Sequence, residues 1–311
     1  MIISASYKND IPTFYGEWFM NRLRAGYCRM VNPWNRKQIS RVSLELEDVD
    51  GIIFWTKNIA PFLPNLKEVH ELGYRFVVQH TINNYPRALE FSVVDADRSV
   101  QHLRKVSETY GPRTCVWRYD TIVMSSLTPA DFHRENFSQL CGKLEGVTDE
   151  VVVSFAHLYQ KTLRNMNWAG EEFGFTWHDP DADEKRALLL ELVPIANVHG
   201  MQVTVCSQPD LVVPGTNEAR CIDAARLEEV SGRTIRVEKR GARKECGCFA
   251  SKDIGDYDTC PHGCVYCYAV QNRNLAQRRY HEHDPDSEFL YPVPGAPADE
   301  PRPDPQRKLF D

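Results

Sequence analysis

The strongest constraint on the fold is an alternation repeated along most of the chain. Short apolar, β-branched runs at residues 2–5, 51–55, 75–80, 114–119, 151–155 and 202–206, with a weaker one at 235–237, read as strands. Between them, 14–24, 62–72, 97–110, 129–144, 184–199 and 224–230 carry helical patterns. Thr128 before Pro129 and Asp97 look like helix starts, and Gly73 and Gly200 like left-handed helix ends. Strands without in–out alternation, separated by helices, imply a mainly parallel sheet buried on both faces. The expected fold is therefore α/β: a single (β/α) barrel or partial barrel spanning residues 1–275, with a doubly wound open sheet as runner-up. A tail at 284–311, rich in proline and acid, is expected to be disordered.

In such folds, functional groups collect where strands run into loops. Read that way, Lys57, Arg118 and Asp120 stand out, each charged and each beside an apolar strand. They are the candidate substrate-positioning residues. Arg118 and Asp120, two apart on one strand, share a face and could equally form a structural ion pair.

The chain carries ten cysteines among 311 residues. Cys28, Cys115 and Cys141 are scattered, as thiols used as small buried hydrophobes usually are. Cys206, Cys221, Cys246, Cys248, Cys260, Cys264 and Cys267 are crowded into one stretch, 206–268. No secretory leader pattern is evident at the first residues and no apolar run is long enough for a membrane span, so a cytoplasmic location is expected, with no membrane partner. In a reducing compartment, crowded thiols read as metal or redox sites sooner than as a disulfide framework. A net charge of −6 gives no general reason to expect a polyanionic partner. The basic run from Lys239 to Lys244 reads as a solvated loop sooner than as a phosphate contact.

Cys260-Pro-His-Gly-Cys264-Val-Tyr-Cys267 is the most specific segment. Spacings of three and two residues let one loop present three thiolates, a donor set that suits an iron–sulfur cluster or zinc. Gly263 permits the tight turn, Tyr266 would shield the site from solvent, and His262 is expected to hydrogen-bond behind it. Cys206, Cys221, Cys246 and Cys248 could form a second cluster or a zinc site. Alternatively, Cys246 or Cys248 adds a fourth ligand to the first.

CPHGCVYCYA resembles the cluster loop of the radical S-adenosylmethionine superfamily, and within it the spore-photoproduct-lyase-like branch. The resemblance implies that Cys260, Cys264 and Cys267 hold a [4Fe–4S] cluster whose free iron binds S-adenosylmethionine. An electron donor would drive reductive cleavage to a radical, which attacks a small-molecule or nucleic-acid substrate in a barrel mouth. Over residues 1–275 the chain also resembles domain of unknown function 1848, through IISASYKNDIP, FYGEWFMNRLRAG, FWTKN, WRYD, VVSF, CID and ECGCFASKDIGDYDTCPHGCVYCYA. Two features depart from the superfamily pattern. The cysteine loop stands near the carboxyl end, and there is no Gly-Gly-Glu segment. Two other readings therefore stay open: an iron–sulfur redox or sensing protein that does not use S-adenosylmethionine, and a structural zinc-binding protein.

Overall fold

A computed structural model describes residues 1–32, 35–241, 245–293, 295 and 296 of the chain. Its centre is an eight-stranded sheet built from β1 (Ile2–Ala5), β4 (Gly51–Thr56), β5 (Phe76–Thr81), β6 (Cys115–Ile122), β8 (Glu150–Phe155), β10 (Gln202–Val205), β11 (Thr216–Glu218) and β12 (Ser251–Asp253). All its pairings are parallel. The spatial order is β12-β1-β4-β5-β6-β8-β10-β11, so each strand lies beside its predecessor and only β12 returns to the starting edge. Around the sheet run α1 (Ile11–Phe14), α2 (Gly16–Arg24), α3 (Leu63–Glu71), α4 (Ala96–Tyr110), α5 (Ala130–Leu144), α6 (Gln160–Phe173), α7 (Ala182–Val198), α8 (Ala224–Ser231) and α9 (Arg273–His281). Two small antiparallel pairs complete it: β2 (Tyr27–Asn32) with β3 (Asn35–Ser43), and β7 (Met124–Ser125) with β9 (Trp177–His178).

The strands are apolar on both sides because both sides are covered. Ile3, Phe54, Val78, Trp117 and Val153 pack into the main core with helix residues such as Phe19, Leu66, Leu103, Phe137 and Leu189. The alternate residues Ile2, Ile53, Val77, Val116 and Val152 pack against a later part of the chain: Ala219, Cys221, Ile222, Leu227, Ile235 and Cys248. The approach is close at Gly51, where a Cβ would stand 2.7 Å from Leu227 of α8. Buried Arg226 fixes the same helix, with Nη1 and Nη2 reaching Asp149 at 3.0 Å and Glu150 at 2.7 Å.

The mixed α/β architecture with a parallel sheet agrees with the sequence pattern. Among the described residues, however, no ladder joins β11 to β12, so the sheet is not closed into a barrel by pairing. Residues 235–237 are not a strand: Ile235 is buried against the inner face without joining the ladder. The first helix breaks at Tyr15, which also lets Gly16 sit where a Cβ would be 2.8 Å from Phe62. Thr128 does not cap α5, since its hydroxyl donates to Val123 O at 2.6 Å. The cap of α4 is Asp95, not Asp97; it accepts from the amides of Asp97 and Arg98. Gly73 and Gly200 take the expected positive φ, +97° and +73°.

The expected disorder from residue 284 is corrected for its first part. Trp18 Nε1 donates to Ser287 O at 2.9 Å, Arg29 reaches Glu288 at 3.0 Å, and Phe289 and Leu290 are buried. Two apolar side chains and a charge partner give this stretch enough burial to offset its ordering cost. The part of the tail from 297 onward lies outside the described residues. None of the described helices is long and apolar enough to cross a membrane.

Candidate metal centre

The cysteine loop lies between β12 and α9 and is fastened at the carboxyl-terminal ends of β1, β4 and β5. Asp253, closing β12, accepts from Ser4 Oγ at 2.7 Å, Ser6 Oγ at 2.8 Å and the Tyr7 amide at 3.0 Å. Further along, Asn9 donates to Thr259 Oγ1 at 3.0 Å, the Tyr15 hydroxyl to Thr259 O at 2.5 Å, and the Tyr268 hydroxyl to Tyr7 O at 2.5 Å. On the other flank the Val265 amide donates to Leu89 O and the Ser92 amide to His262 O. Gly263 takes φ +75°, a left-handed conformation that favours glycine, with the Arg273 and Phe91 side chains packed close over it.

Cys260, Cys264 and Cys267 are partly exposed and line one large cleft of about 1300 Å³ at the mouth of the sheet. Burial pushes all three thiols up, and the charge of Asp10 raises Cys260 further, ahead of any charge on Cys267 or Cys264. The Cys267 sulfur already accepts from the Ala269 amide at 3.3 Å. Among the described residues no three His, Cys, Asp or Glu side chains are set closely enough to hold a single metal ion as they stand.

Two polar groupings back the loop. His262 Nε2 meets Asp10 Oδ2 at 2.7 Å, and the same carboxylate accepts from the amides of Lys57 at 2.7 Å and Thr13 at 2.9 Å. Burial alone would raise the Asp10 carboxyl, but the hydrogen bond and charge of His262, together with the two amides, hold it below its usual range. In the second grouping, Lys57 Nζ lies 2.7 Å from Glu90 and 3.2 Å from the Tyr266 hydroxyl. Tyr266 also donates to Glu90, and Asn83 Nδ2 reaches the Tyr266 oxygen at 3.0 Å. Burial would strip Lys57 of its proton; the charge of Glu90 outweighs it, with help from Cys264, and keeps the ammonium charged.

Arg118 and Asp120 form the ion pair that their spacing allows, with Asp120 also accepting from Ser154. Arg118 further donates to Gln79 at 3.1 Å and to the Cys221 sulfur at 2.8 Å, and its guanidinium lies 5.0 Å from the Trp55 ring centre. Lys57, Arg118 and Asp120 all line the cleft. Their contacts differ, however: Lys57 bonds to Glu90 and to Tyr266 of the loop, Arg118 to the Cys221 sulfur.

Cys206, Cys221, Cys246 and Cys248 form a second thiol group on the wall of the same cleft. Cys206 and Cys221 have their sulfurs 3.4 Å apart, Cys248 accepts from the Ile222 amide at 3.3 Å, and Cys246 packs in the same apolar cluster. Of the basic run, Arg240 and Gly241 line the cleft, while residues 242–244 fall outside the described residues.

Sequence reasoning missed Glu90 and Asn83, because each stands in an irregular loop after β5 where no strand-end rule points to it. Asp10 had a signal, its place just after β1, but not its role of binding His262.

The family model described as domain of unknown function (DUF1848) matches residues 2–269, a span that ends just beyond the third cysteine of the loop. The chain belongs to the DUF1848 family. The matched span takes in every strand of the main sheet and all seven clustered cysteines, so in this DUF1848 protein sheet and cysteine loop form one unit. No curated protein and no solved structure matches the chain.

Proposed function

We propose that Cys260, Cys264 and Cys267 hold a [4Fe–4S] cluster and that the protein is a radical S-adenosylmethionine-type enzyme whose substrate enters the cleft, with the sheet acting as a partial barrel around it. The observation that carries this reading is the fastening of three thiols, on one loop, over a cleft large enough for a cofactor and a substrate. The donor set fits the group. Thiolates bind iron strongly, and in a cubane each sulfur takes its own iron, so the three stand farther apart than around a single ion.

A cluster bound there supplies single electrons to a ligand on its fourth iron. The chain's own residues do the rest. Asp10 and His262 hold the loop in register with β4, and Tyr266 closes one side of the cleft. Lys57 stays charged beside Cys264, where it offsets part of the negative charge that three thiolates bring. Arg118 and Asp120 present a fixed dipole and the Trp55 face to whatever occupies the cleft.

The test is anaerobic purification with iron and sulfide analysis, followed by reduction in the presence of S-adenosylmethionine. About four irons and four sulfides per loop, lost in the Cys264→Ala variant, with slow cleavage of S-adenosylmethionine, is the expected result. A cluster that leaves S-adenosylmethionine unbound would make this an iron–sulfur redox or sensing protein. Zinc on the three loop cysteines, with no chromophore, would end the reading altogether.

A further inference from the structure

The thiols of Cys206, Cys221, Cys246 and Cys248 are unlike the three scattered ones. Cys28, Cys115 and Cys141 are buried singly among apolar neighbours, where a thiol serves as a small hydrophobe. The other four come from three separate parts of the chain and pack into one cluster, with the sulfurs of Cys206 and Cys221 3.4 Å apart. Cys206 follows β10, Cys221 precedes α8, and Cys246 and Cys248 precede β12. A buried guanidinium donates to one of them, Arg118 to Cys221 at 2.8 Å, and a backbone amide, that of Ile222, donates to Cys248 at 3.3 Å. Donors of that kind are spent on sulfur to best effect when the sulfur carries negative charge.

We propose that these four cysteines are the ligands of one zinc ion, a structural site distinct from the loop of Cys260, Cys264 and Cys267. Spacing argues for a single ion over a cubane. Four sulfurs about 2.3 Å from a common zinc stand about 3.8 Å from one another. The Cys206–Cys221 separation of 3.4 Å is close to that, and far shorter than sulfurs bound to different irons would show. As they stand, Cys206 and Cys221 are in contact, and Cys246 and Cys248 pack beside them in one cluster. Binding gathers the four around one point by turning the two more exposed side chains. Those two, Cys206 and Cys246, are half-exposed and lie outside helix and strand, so they are the ones with freedom to turn.

The fold also has a use for such a staple. The stretch from Gly232 to Ala250 covers the inner face of the sheet, yet its described residues hold no helix or strand, only an isolated bridge from Lys239 to Phe249. A long irregular segment with so little hydrogen bonding of its own is fixed by a cross-link more cheaply than by packing. The zinc would tie Cys246 and Cys248 of this stretch to the ends of β10 and the turn before α8. Arg118 would offset part of the charge of four thiolates.

The test uses the full chain with Cys260→Ala, Cys264→Ala and Cys267→Ala, so that no loop cluster contributes metal. Purified with zinc, it should hold about one equivalent, and cobalt in place of zinc should give the intense visible bands of a tetrahedral thiolate site. Adding Cys221→Ser should lower bound zinc at least tenfold, while Cys28→Ser leaves it unchanged. Because the Cys221 variant could misfold, alkylation of the unsubstituted, metal-loaded chain supplies a second readout: Cys206, Cys221, Cys246 and Cys248 should be protected until a chelator is added. Iron and sulfide retained without the loop cysteines, a Cys206–Cys221 disulfide, or four freely alkylated thiols would each overturn the proposal. None of these outcomes bears on the loop cluster, whose iron is measured with the loop cysteines intact.

Discussion

Lys57 Nζ and Glu90 Oε1 lie 2.7 Å apart, an ion pair with Lys57 mostly buried and Glu90 fully so, joined by the Tyr266 hydroxyl at the back of the cysteine loop. Neither charge is solvated well enough to stand alone. Lys57→Met should therefore cost about 3–5 kcal/mol in denaturant unfolding, because it strands the Glu90 carboxylate. Lys57→Met with Glu90→Gln should cost clearly less than the sum of the single changes, and strict additivity in that cycle would disprove the coupling.

Asp10 ties β1, β4 and the loop together through His262, the Lys57 amide and the Thr13 amide. Asp10→Asn keeps the shape but lowers the pull on His262. On the cluster reading, the variant should lose iron to a chelator about ten times faster than the parent, since supports of this kind are worth about 10–100-fold in metal affinity. An unchanged rate would mean that the loop holds its shape without Asp10.

Two buried histidines set an acid limit. His80, hydrogen-bonded to Ser99 at 2.9 Å, and His133, between the Tyr119 hydroxyl at 2.8 Å and Val123 O at 3.1 Å, are both pushed by burial down to about 4. Both stay neutral when folded, while the unfolded chain takes up their protons near pH 6.5. Their contribution is complete above about pH 6.5 and is lost as pH falls toward 4, each at a slope of up to about 1.4 kcal/mol per pH unit. His133→Gln should remove one such slope from a plot of unfolding free energy against pH. A parallel plot for parent and variant would refute the assignment.

The segment around Leu290 belongs to the folded unit. Leu290→Ala should destabilise by about 2–5 kcal/mol, the range for emptying a buried leucine site. Ending the chain before residue 285 should cost more, because Trp18 Nε1 and Arg29 also lose their partners. Both are read by thermal or denaturant unfolding, and a truncated chain as stable as the parent would refute the packing.

Much of this was legible in the residues. The six principal strands follow from apolar runs buried on both faces, and each begins within a residue of its expected place, with β6 running three residues past its expected end. What escaped has physical reasons. α6 shows the core only Thr162, Met166 and Ala169, a stripe too thin to register against a polar background. β12 is three residues at an edge, two of them charged, and is specified by its pairing with β1 and the bonds to Asp253, not by any apolar pattern. The β2–β3 hairpin hides for a similar reason, since its second strand opens on Asn, Arg, Lys and Gln and carries Arg41 farther on. At the site, cysteine spacing marked the thiols. Only the fold could bring Glu90 and Asn83 to Tyr266, or reveal that Lys57 bonds to the loop's tyrosine while Arg118 reaches Cys221.

The pairing of Ile2 with Ser251 has a consequence for how the molecule is made. A ribosome releases β1 early and the strand that covers its flank almost last, so a nascent chain carries an open hydrogen-bonding edge through most of its synthesis. The loop that follows β12 emerges later still. If the loop takes up a cluster, as proposed above, that uptake waits for a late segment of the chain, and a product terminated before it would combine an unguarded edge with no loop cysteines.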